Sequence, residues 1–376
     1  MKIVIIGGHL APALSVLEAL PKNTQILFIG RKYALEGDNT LSLEYETISG
    51  LGIPFVGLNT GRWQRKLTEF TILSLLKLPL GIIKSFLILI DFRPDVVLGF
   101  GGYVSIPVAF CAFLLRIPVV IHEQTMGAGV ANRLISRFAK KICISWNSSR
   151  KYFPKDKVVM TGNPIRKFLI LELPSGKFSI FGNKLPTIYI TGGSSGSHFI
   201  NVLIEEIIKE LLVTYNVVHQ AGDTHEYRDF DRLKILKENL PESLRENYIL
   251  EKFINPSEIG DLINLSSLII ARSGMNTITE LIYFEKPALL IPLPFSQGGE
   301  QTRNAKFLEK IGLGIVLPQA GLNGKKLLQA IELIFRNIDK YKINNKERRS
   351  FPVKSAAHNI ISVINYAYES KTAKKS

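Results

Sequence analysis

Short apolar runs, each followed by a turn and then a stretch with helical spacing, recur along this chain, and that alternation admits few folds. They fall at residues 2–6, 25–29, 96–98, 118–121 and 141–145. The series restarts at 187–191 and continues at 216–219, 248–250, 267–271 and 288–291. Apolar strands separated by helices read as βαβ units, hence parallel sheets covered by helices on both faces. The restart, in a chain of 376 residues, predicts two such domains, each large enough to bury its own core. Between them, T-G-N-P-I-R and a stretch containing Pro, Gly and Lys at 161–184 reads as a linker. The expected boundaries are 1–163, 164–352 and a final helix with a loose tail at 353–376, which has no strand after it and is open to packing back on the first domain.

The segment 270–304 carries the most chemistry. It reads as a strand end, a Ser273-Gly274 turn, a helix bearing Glu280, another strand, and a loop rich in Gly, Gln and Asn. Backbone N–H groups at such a helix start attract a diphosphate. Glu280 suits the two hydroxyls of a ribose, and Gln301 and Asn304 offer neutral donors and acceptors to a sugar. Helix capping alone is the competing reading of the same residues.

Other turns lie directly beyond strands, where open α/β sheets bind ligands. Residues 6–12 read I-G-G-H-L-A-P, with Gly7, Gly8 and His9 after the first strand. Residues 99–107 read G-F-G-G-Y-V-S-I-P and include Gly101, Gly102 and Tyr103. His122 and Glu123 open H-E-Q-T, and 191–197 reads T-G-G-S-S-G-S, an anion nest opening a helix. Asp229-Phe230-Asp231 has the D-x-D spacing of metal-dependent sugar transferases but follows no strand, and reads as a solvated helix face.

Bulk properties narrow the class. Cys111 and Cys143 sit inside apolar runs, giving neither a disulfide framework nor a metal-ligand spacing, as in a reducing compartment. The opening M-K-I-V-I-I runs into a Gly turn without signal-peptide features, so a cytoplasmic protein is expected. The net charge of +15 implies an anionic partner. The basic residues are scattered and no nucleic-acid-binding motif is present, which argues against nucleic acid. Residues 70–92 are long enough to span a bilayer, yet Lys77, Pro79, Gly81 and Lys84 interrupt them. An apolar helix pair preceded by Arg62, Arg65 and Lys66 reads instead as a surface dipping into an anionic membrane.

In order, G-G-H-L-A-P, G-F-G-G-Y-V-S-I-P, H-E-Q-T, G-N-P-I-R, G-G-S-S-G-S with Asn201, R-S-G-M-N-T-I-T-E and E-Q-T-R-N-A resemble the MurG family. Its members are the N-acetylglucosaminyltransferases that act on lipid I in peptidoglycan synthesis. The resemblance runs from residue 1 to about 340. It implies a GT-B architecture of two Rossmann-like domains facing a cleft, inverting transfer from UDP-GlcNAc to lipid I, and attachment to the cytoplasmic face of the plasma membrane. Contact with other cell-wall synthesis proteins is implied as well.

Carried onto this sequence, the resemblance implies that Arg166 and Ser194 meet the donor diphosphate, with Ser273 and Gly274 at the receiving helix. Phe253 and Ile254 resemble the uracil wall and Glu280 the ribose ligand. Asn201 belongs to the same donor motif, and Glu300, Gln301 and Asn304 fall where the sugar is held. His9 is the expected base, since imidazole titrates near neutrality, with Glu123 the alternative base or acceptor-orienting group. Gly7, Gly8, Gly101, Gly102, Tyr103, His122 and Thr125 occupy acceptor positions. No metal or other cofactor is implied, the leaving UDP being stabilised by helix dipoles and Arg166.

The chain departs from the family in its first loop, typically G-G-T-G-G-H, which is about three residues shorter here. Thr125 stands where Asn is usual, Ser195 and Glu300 where Gln is usual. The donor half is nearly intact and the acceptor half altered. A related transferase acting on another lipid, or a nucleotide-sugar-binding scaffold, therefore stays open as an alternative.

Overall fold

The computed structural model describes residues 1–33, 40–58, 69–166, 169, 178, 181–223, 226–343, 351 and 353–372, with the backbone alone at 69–77, 297 and 372. The chain divides into two compact units, Met1–Arg166 with Phe351–Ser376, and Lys167–Ser350.

The first unit carries β1 (Lys2–Ile6), β2 (Gln25–Gly30), β3 (Phe55–Gly57), β4 (Val96–Gly99), β5 (Val119–Glu123), β6 (Lys141–Ile144) and β7 (Val158–Met160). They form a parallel sheet in the order β3-β2-β1-β4-β5-β6-β7. Helices α1 (Leu10–Ala19), α2 (Leu43–Gly50), α3 (Glu69–Phe92), α4 (Ser105–Leu114) and α5 (Val130–Ile135) connect them. The period of two along β1 divides the core. Val4 and Ile6 join the cluster containing Leu89 of α3 and Val108 of α4, while Ile3 and Ile5 pack on the opposite face with Ala13 and Val16 of α1.

The second unit carries β8 (Thr187–Thr191), β9 (Asn216–Gln220), β10 (Tyr248–Glu251), β11 (Leu268–Ala271), β12 (Ala288–Leu290) and β13 (Gly314–Val316), parallel in the order β10-β9-β8-β11-β12-β13. Its helices are α6 (His198–Thr214), α7 (Asp229–Glu238), α8 (Glu242–Arg245), α9 (Pro256–Leu265), α10 (Met275–Phe284), α11 (Glu300–Lys310) and α12 (Gly324–Arg336). Ile188 and Ile190 of β8 pack with Ile200, Ile204 and Ile207 of α6 and Ile331 and Ile334 of α12. The last helix, α13 (Ala356–Thr372), returns to the first unit and adds Ile360, Ile364 and Ala367 to the core beneath α1.

Both sheets reverse direction of winding beside their first strand, between β1 and β4 and between β8 and β11. Helices that leave neighbouring strands on opposite faces open a crevice there, the usual ligand position of such sheets. Ile6 aligns with Ile29 and Gly99, and Thr191 with Gln220 and Ala271, so the loops beyond each switch point start level with one another.

The segment at 70–92 is one helix, α3, with Pro79 inside it, where a pair was expected. Gly81, Ser85 and Leu89 face inward, while Leu80, Ile83, Leu87 and Ile90 form an exposed stripe at helical spacing. Phe113 and Leu114 of the adjoining α4 are exposed too, and Cys111 donates to the Ile82 carbonyl at 3.3 Å, fixing the two helices together. Lys84 does not front this surface freely, because its ammonium donates to the Gly57 carbonyl at 2.9 Å. Arg62, Arg65 and Lys66 lie outside the described residues. No helix among the described residues is long and apolar enough to cross a membrane.

Candidate functional site

In the first unit, the Gly7-Gly8-His9 turn and the Gly101-Gly102 turn lie against each other at the switch point. A Cβ on Gly8 would stand 2.5 Å from the Gly101 carbonyl oxygen, and one on Gly102 3.2 Å from the Gly8 Cα. Gly101 and Gly102 also take φ of 83° and 76°, where a side chain is strained. His9 is exposed at the start of α1, whose first turn has no side-chain cap. Tyr103 follows, half-buried.

Glu44 of α2 reaches under the first turn, a contact that the sequence did not announce. Its Oε1 accepts from the Gly8 amide at 3.1 Å and its Oε2 from the Arg31 amide at 2.9 Å. Burial pushes the carboxyl pKa up, opposed by the Arg31 amide and charge and by the Gly8 amide. A Cβ on Gly7 would collide with the same carboxylate, which fills the space behind the short loop.

Two sequence expectations change at the H-E-Q-T turn. His122 is fully buried, with Nε2 paired to Ser145 Oγ at 3.0 Å and the Gly162 carbonyl at 3.2 Å, so it cannot touch an acceptor. Burial pushes its pKa down to about 4, opposed by the Gly162 hydrogen bond, and the ring stays neutral. Glu123 is buried as well and both its oxygens are saturated. Oε1 accepts from the Thr125 amide and hydroxyl at 2.9 and 2.7 Å, and Oε2 from the Gly129 amide and Asn132 Nδ2 at 2.9 and 3.0 Å. A carboxylate so engaged braces the 124–132 loop and is a poor base; Thr125 belongs to that brace.

In the second unit a cavity of about 420 Å³ opens at the switch point. Gly192, Gly196, Ser197, His198 and Phe199 form one wall, Arg272, Leu293, Gln301 and Gln319 the other. Gly196 takes φ 76°, and a Cβ there would stand 2.0 Å from the Ala221 carbonyl, so this turn admits only glycine. Arg272 is the residue that the sequence reading passed over. Its guanidinium donates to Ser197 Oγ through Nε at 3.1 Å and Nη2 at 2.8 Å, and through Nη1 to the Ile291 carbonyl and Gln319 Oε1, each at 3.0 Å. The signal was present: an Arg directly after β11, just before the Ser-Gly turn, is too costly to half-bury without such partners.

Ser273 is buried and its hydroxyl donates to the Gln301 carbonyl at 2.8 Å, leaving its backbone and that of Gly274 to open α10, which has no side-chain cap. Asn304, expected to touch sugar, is fully buried and donates to the Ser273 carbonyl at 3.0 Å; it braces the turn. Gln301 does line the cavity, its Oε1 accepting from the Leu293 amide at 2.9 Å. Ser194 is exposed on the crest of the Gly-rich turn, and Glu280 and Glu300 are half-buried on α10 and α11. Phe253 is exposed, whereas the Ile254 side chain is buried and leaves only backbone for a base. Arg166 is half-buried at the end of the first unit.

Asn201 is also buried, donating to the Ala221 carbonyl and to Asp229 Oδ2, each at 2.9 Å. The D-x-D segment is accordingly not a wholly solvated face. Asp229 is buried and takes Asn201, His198 and Arg232, while Asp231 is exposed and pairs with Arg228 at 3.3 Å. The two carboxylates serve separate partners.

Family models for the glycosyltransferase family 28 N-terminal and C-terminal domains match residues 6–144 and 187–360. The UDP-N-acetylglucosamine--N-acetylmuramyl-(pentapeptide) pyrophosphoryl-undecaprenol N-acetylglucosamine transferase of Legionella pneumophila (strain Paris) is 33% identical over 365 residues, 95% of this chain and 93% of its own length. The chain belongs to the MurG family. A crystal structure of Acinetobacter baumannii MurG superposes with a TM-score of 0.72 at 26% identity, covering 97% of this chain and 100% of that one. The fold is therefore the GT-B fold of the MurG family, two Rossmann-like units. The UDP-GlcNAc 2-epimerase of Neisseria meningitidis, bound to UDP-GlcNAc, has a TM-score of 0.65 at 18% identity, covering 96% of this chain and 99% of that one, and shares the fold alone.

Proposed function

We propose that the chain transfers N-acetylglucosamine from UDP-GlcNAc to lipid I, with inversion, forming lipid II. The observation that carries the reading is the 33% identity over 95% of the chain to a transferase with this activity in its name, joined to a glycine-lined turn at the switch point of each sheet.

In this reading the acceptor hydroxyl attacks the anomeric carbon, the bond from that carbon to the phosphate oxygen breaks, and UDP leaves. His9, the exposed imidazole at the first turn, takes the hydroxyl proton, while saturated Glu123 holds the 124–132 loop in place. The uncapped start of α10, with Ser194, meets the diphosphate charge as it develops, and no metal is called on. Phe253 and the Ile254 backbone take uracil, Glu280 the ribose, and Gln301 and Glu300 the sugar. Arg272 orders the wall around them.

The enzyme works on the cytoplasmic face of the plasma membrane, docked through the apolar stripe of Leu80, Ile83, Leu87 and Ile90 and helped by its net charge of +15. Other cell-wall synthesis proteins meet it there.

One observation favours a second reading, transfer to a different lipid. Glu44 occupies the Gly8 amide with a carboxylate, where an acceptor diphosphate would need that donor. Offering a short-chain lipid I analogue and a diacylglycerol side by side with labelled UDP-GlcNAc separates the two. Label in the diacylglycerol alone would move the claim to the second reading.

A further inference from the structure

His198 lines the cavity of the second unit but has no part in the mechanism above. It opens α6 directly after the glycine turn, and its ring is clamped on two sides. Nδ1 lies 2.8 Å from Asp229 Oδ1, and the ring stacks on Tyr227 with centroids 4.0 Å apart and planes at 13°. Asp229 is itself fixed, accepting from Asn201 Nδ2 at 2.9 Å and facing Arg232 Nη2 at 3.1 Å. Burial works against the charged carboxylate, but the hydrogen bonds from Asn201 and His198, with the charges of His198 and Arg232, outweigh it and hold Asp229 below its ordinary pKa. An ionised Asp229 can only accept, so Nδ1 carries a proton and Nε2 is the nitrogen left for a ligand.

His219, in the same network, shows what a purely structural histidine looks like here. It is fully buried with both nitrogens engaged, Nδ1 on Tyr248 Oη and Nε2 on Asn201 Oδ1, each at 3.0 Å. The His198 side chain is instead 39% exposed, and its Nε2 makes no hydrogen bond to a described residue. Across the cavity, the guanidinium of Arg272 is committed to Ser197, Ile291 and Gln319. The cavity thus has a cation tied to protein on one wall and, on the other, an imidazole whose Nε2 engages no described residue.

We infer that His198, oriented by Asp229 and Tyr227, is a ligand of the donor's diphosphate, with Asp229 on Nδ1 and a phosphate oxygen on Nε2–H. The ring then lies between two acceptors, the Asp229 carboxylate on one nitrogen and the diphosphate on the other. The inference rests on the donor reading of this cavity.

Calorimetric titration of the full chain with uridine, UMP and UDP tests it. His198→Ala is expected to weaken UDP by about tenfold or more, the scale of one charge-assisted hydrogen bond, and to leave uridine unchanged. Asp229→Asn is expected to weaken UDP in the same direction. His198→Gln keeps the approximate volume without the ring, so it carries the test if the alanine variant loses its thermal transition. UDP bound by both His198 variants as tightly as by the parent, or UDP and uridine weakened by the same factor, overturns the inference and leaves the donor reading standing. A parent chain that binds no UDP overturns both.

Discussion

Arg272 holds Ser197 by two nitrogens, at 3.1 and 2.8 Å, and so ties the end of β11 to the cap of α6 across the switch point of the second sheet. The same guanidinium reaches the Ile291 carbonyl and Gln319, joining both walls of the cavity. Its replacement by Lys keeps the charge but not the fork. We predict that Arg272→Lys raises the Kd for UDP about tenfold or more and lowers stability by about 1–3 kcal/mol for the partners left unpaired. UDP titration and urea midpoints check it, and parent-like affinity would remove Arg272 from the site.

Glu44 and the Gly8 amide form the corresponding tie in the first unit. Glu44→Ala leaves two amides without their acceptor and empties the space behind the Gly7-Gly8-His9 turn. Transfer should fall at least tenfold, by about the 1.4 kcal/mol that one misplaced hydrogen bond commands. UDP affinity, which the proposed donor site places in the other unit, should hold. Loss of both together would show that the substitution acts through global folding.

His9 and Glu123 separate by readout. His9→Ala should abolish most turnover while the thermal midpoint stays within a degree or two, since the ring is exposed. Glu123→Gln should lower the midpoint by several degrees, because one oxygen that accepts two donors becomes an amide that accepts none. An unchanged midpoint in Glu123→Gln with turnover lost would return Glu123 to the role of base.

Two buried histidines set an acid limit. Burial pushes His122 down to about 4 and His219 down to about 3, the latter opposed by the Asp229 charge. A histidine held below its unfolded value binds its proton more readily in the unfolded chain, so its stabilising share is complete above about pH 6.5 and is lost as pH falls toward the folded value. Each shift corresponds to roughly 3–5 kcal/mol at its full extent. Urea midpoints should be flat above about pH 7 and fall steeply below 6, with a shallower fall in His219→Gln. A flat profile down to about pH 4.5 would contradict the neutral, buried assignment.

The strands that went unread in the sequence are β3, β7 and β13, each of three residues and each at a sheet edge. An edge strand buries one flank, so its apolar run is short and half-exposed and gives no pattern to read. The site divides along a similar line. Glycine turns beyond strands were legible because few residues tolerate that geometry. Which polar side chains are open to a ligand and which brace the turn was not, because His122, Asn201 and Asn304 obey the same spacing as the exposed candidates Ser194 and His9. Only burial separates them, and burial at a loop depends on partners far along the chain, as with Ser273 and Asn304.

The proposed membrane-docking stripe admits a direct test. Replacing Leu80, Ile83 and Leu87 with Ser removes apolar area from an exposed stripe without touching the inward Gly81, Ser85 and Leu89. Sedimentation with anionic vesicles should fall at least tenfold, as expected for losing roughly 2–4 kcal/mol of burial. Binding that responds only to salt and not to these substitutions would assign the attachment to charge alone.

The measurement that bears most directly on the account is transfer of labelled N-acetylglucosamine from UDP-GlcNAc to a short-chain lipid I analogue, with and without EDTA, and with the anomeric configuration of the product read by NMR. A β-linked disaccharide on lipid I is expected, formed at the same rate in EDTA and lost in His9→Ala. Donor binding without transfer to lipid I, or a product of retained configuration, would contradict it.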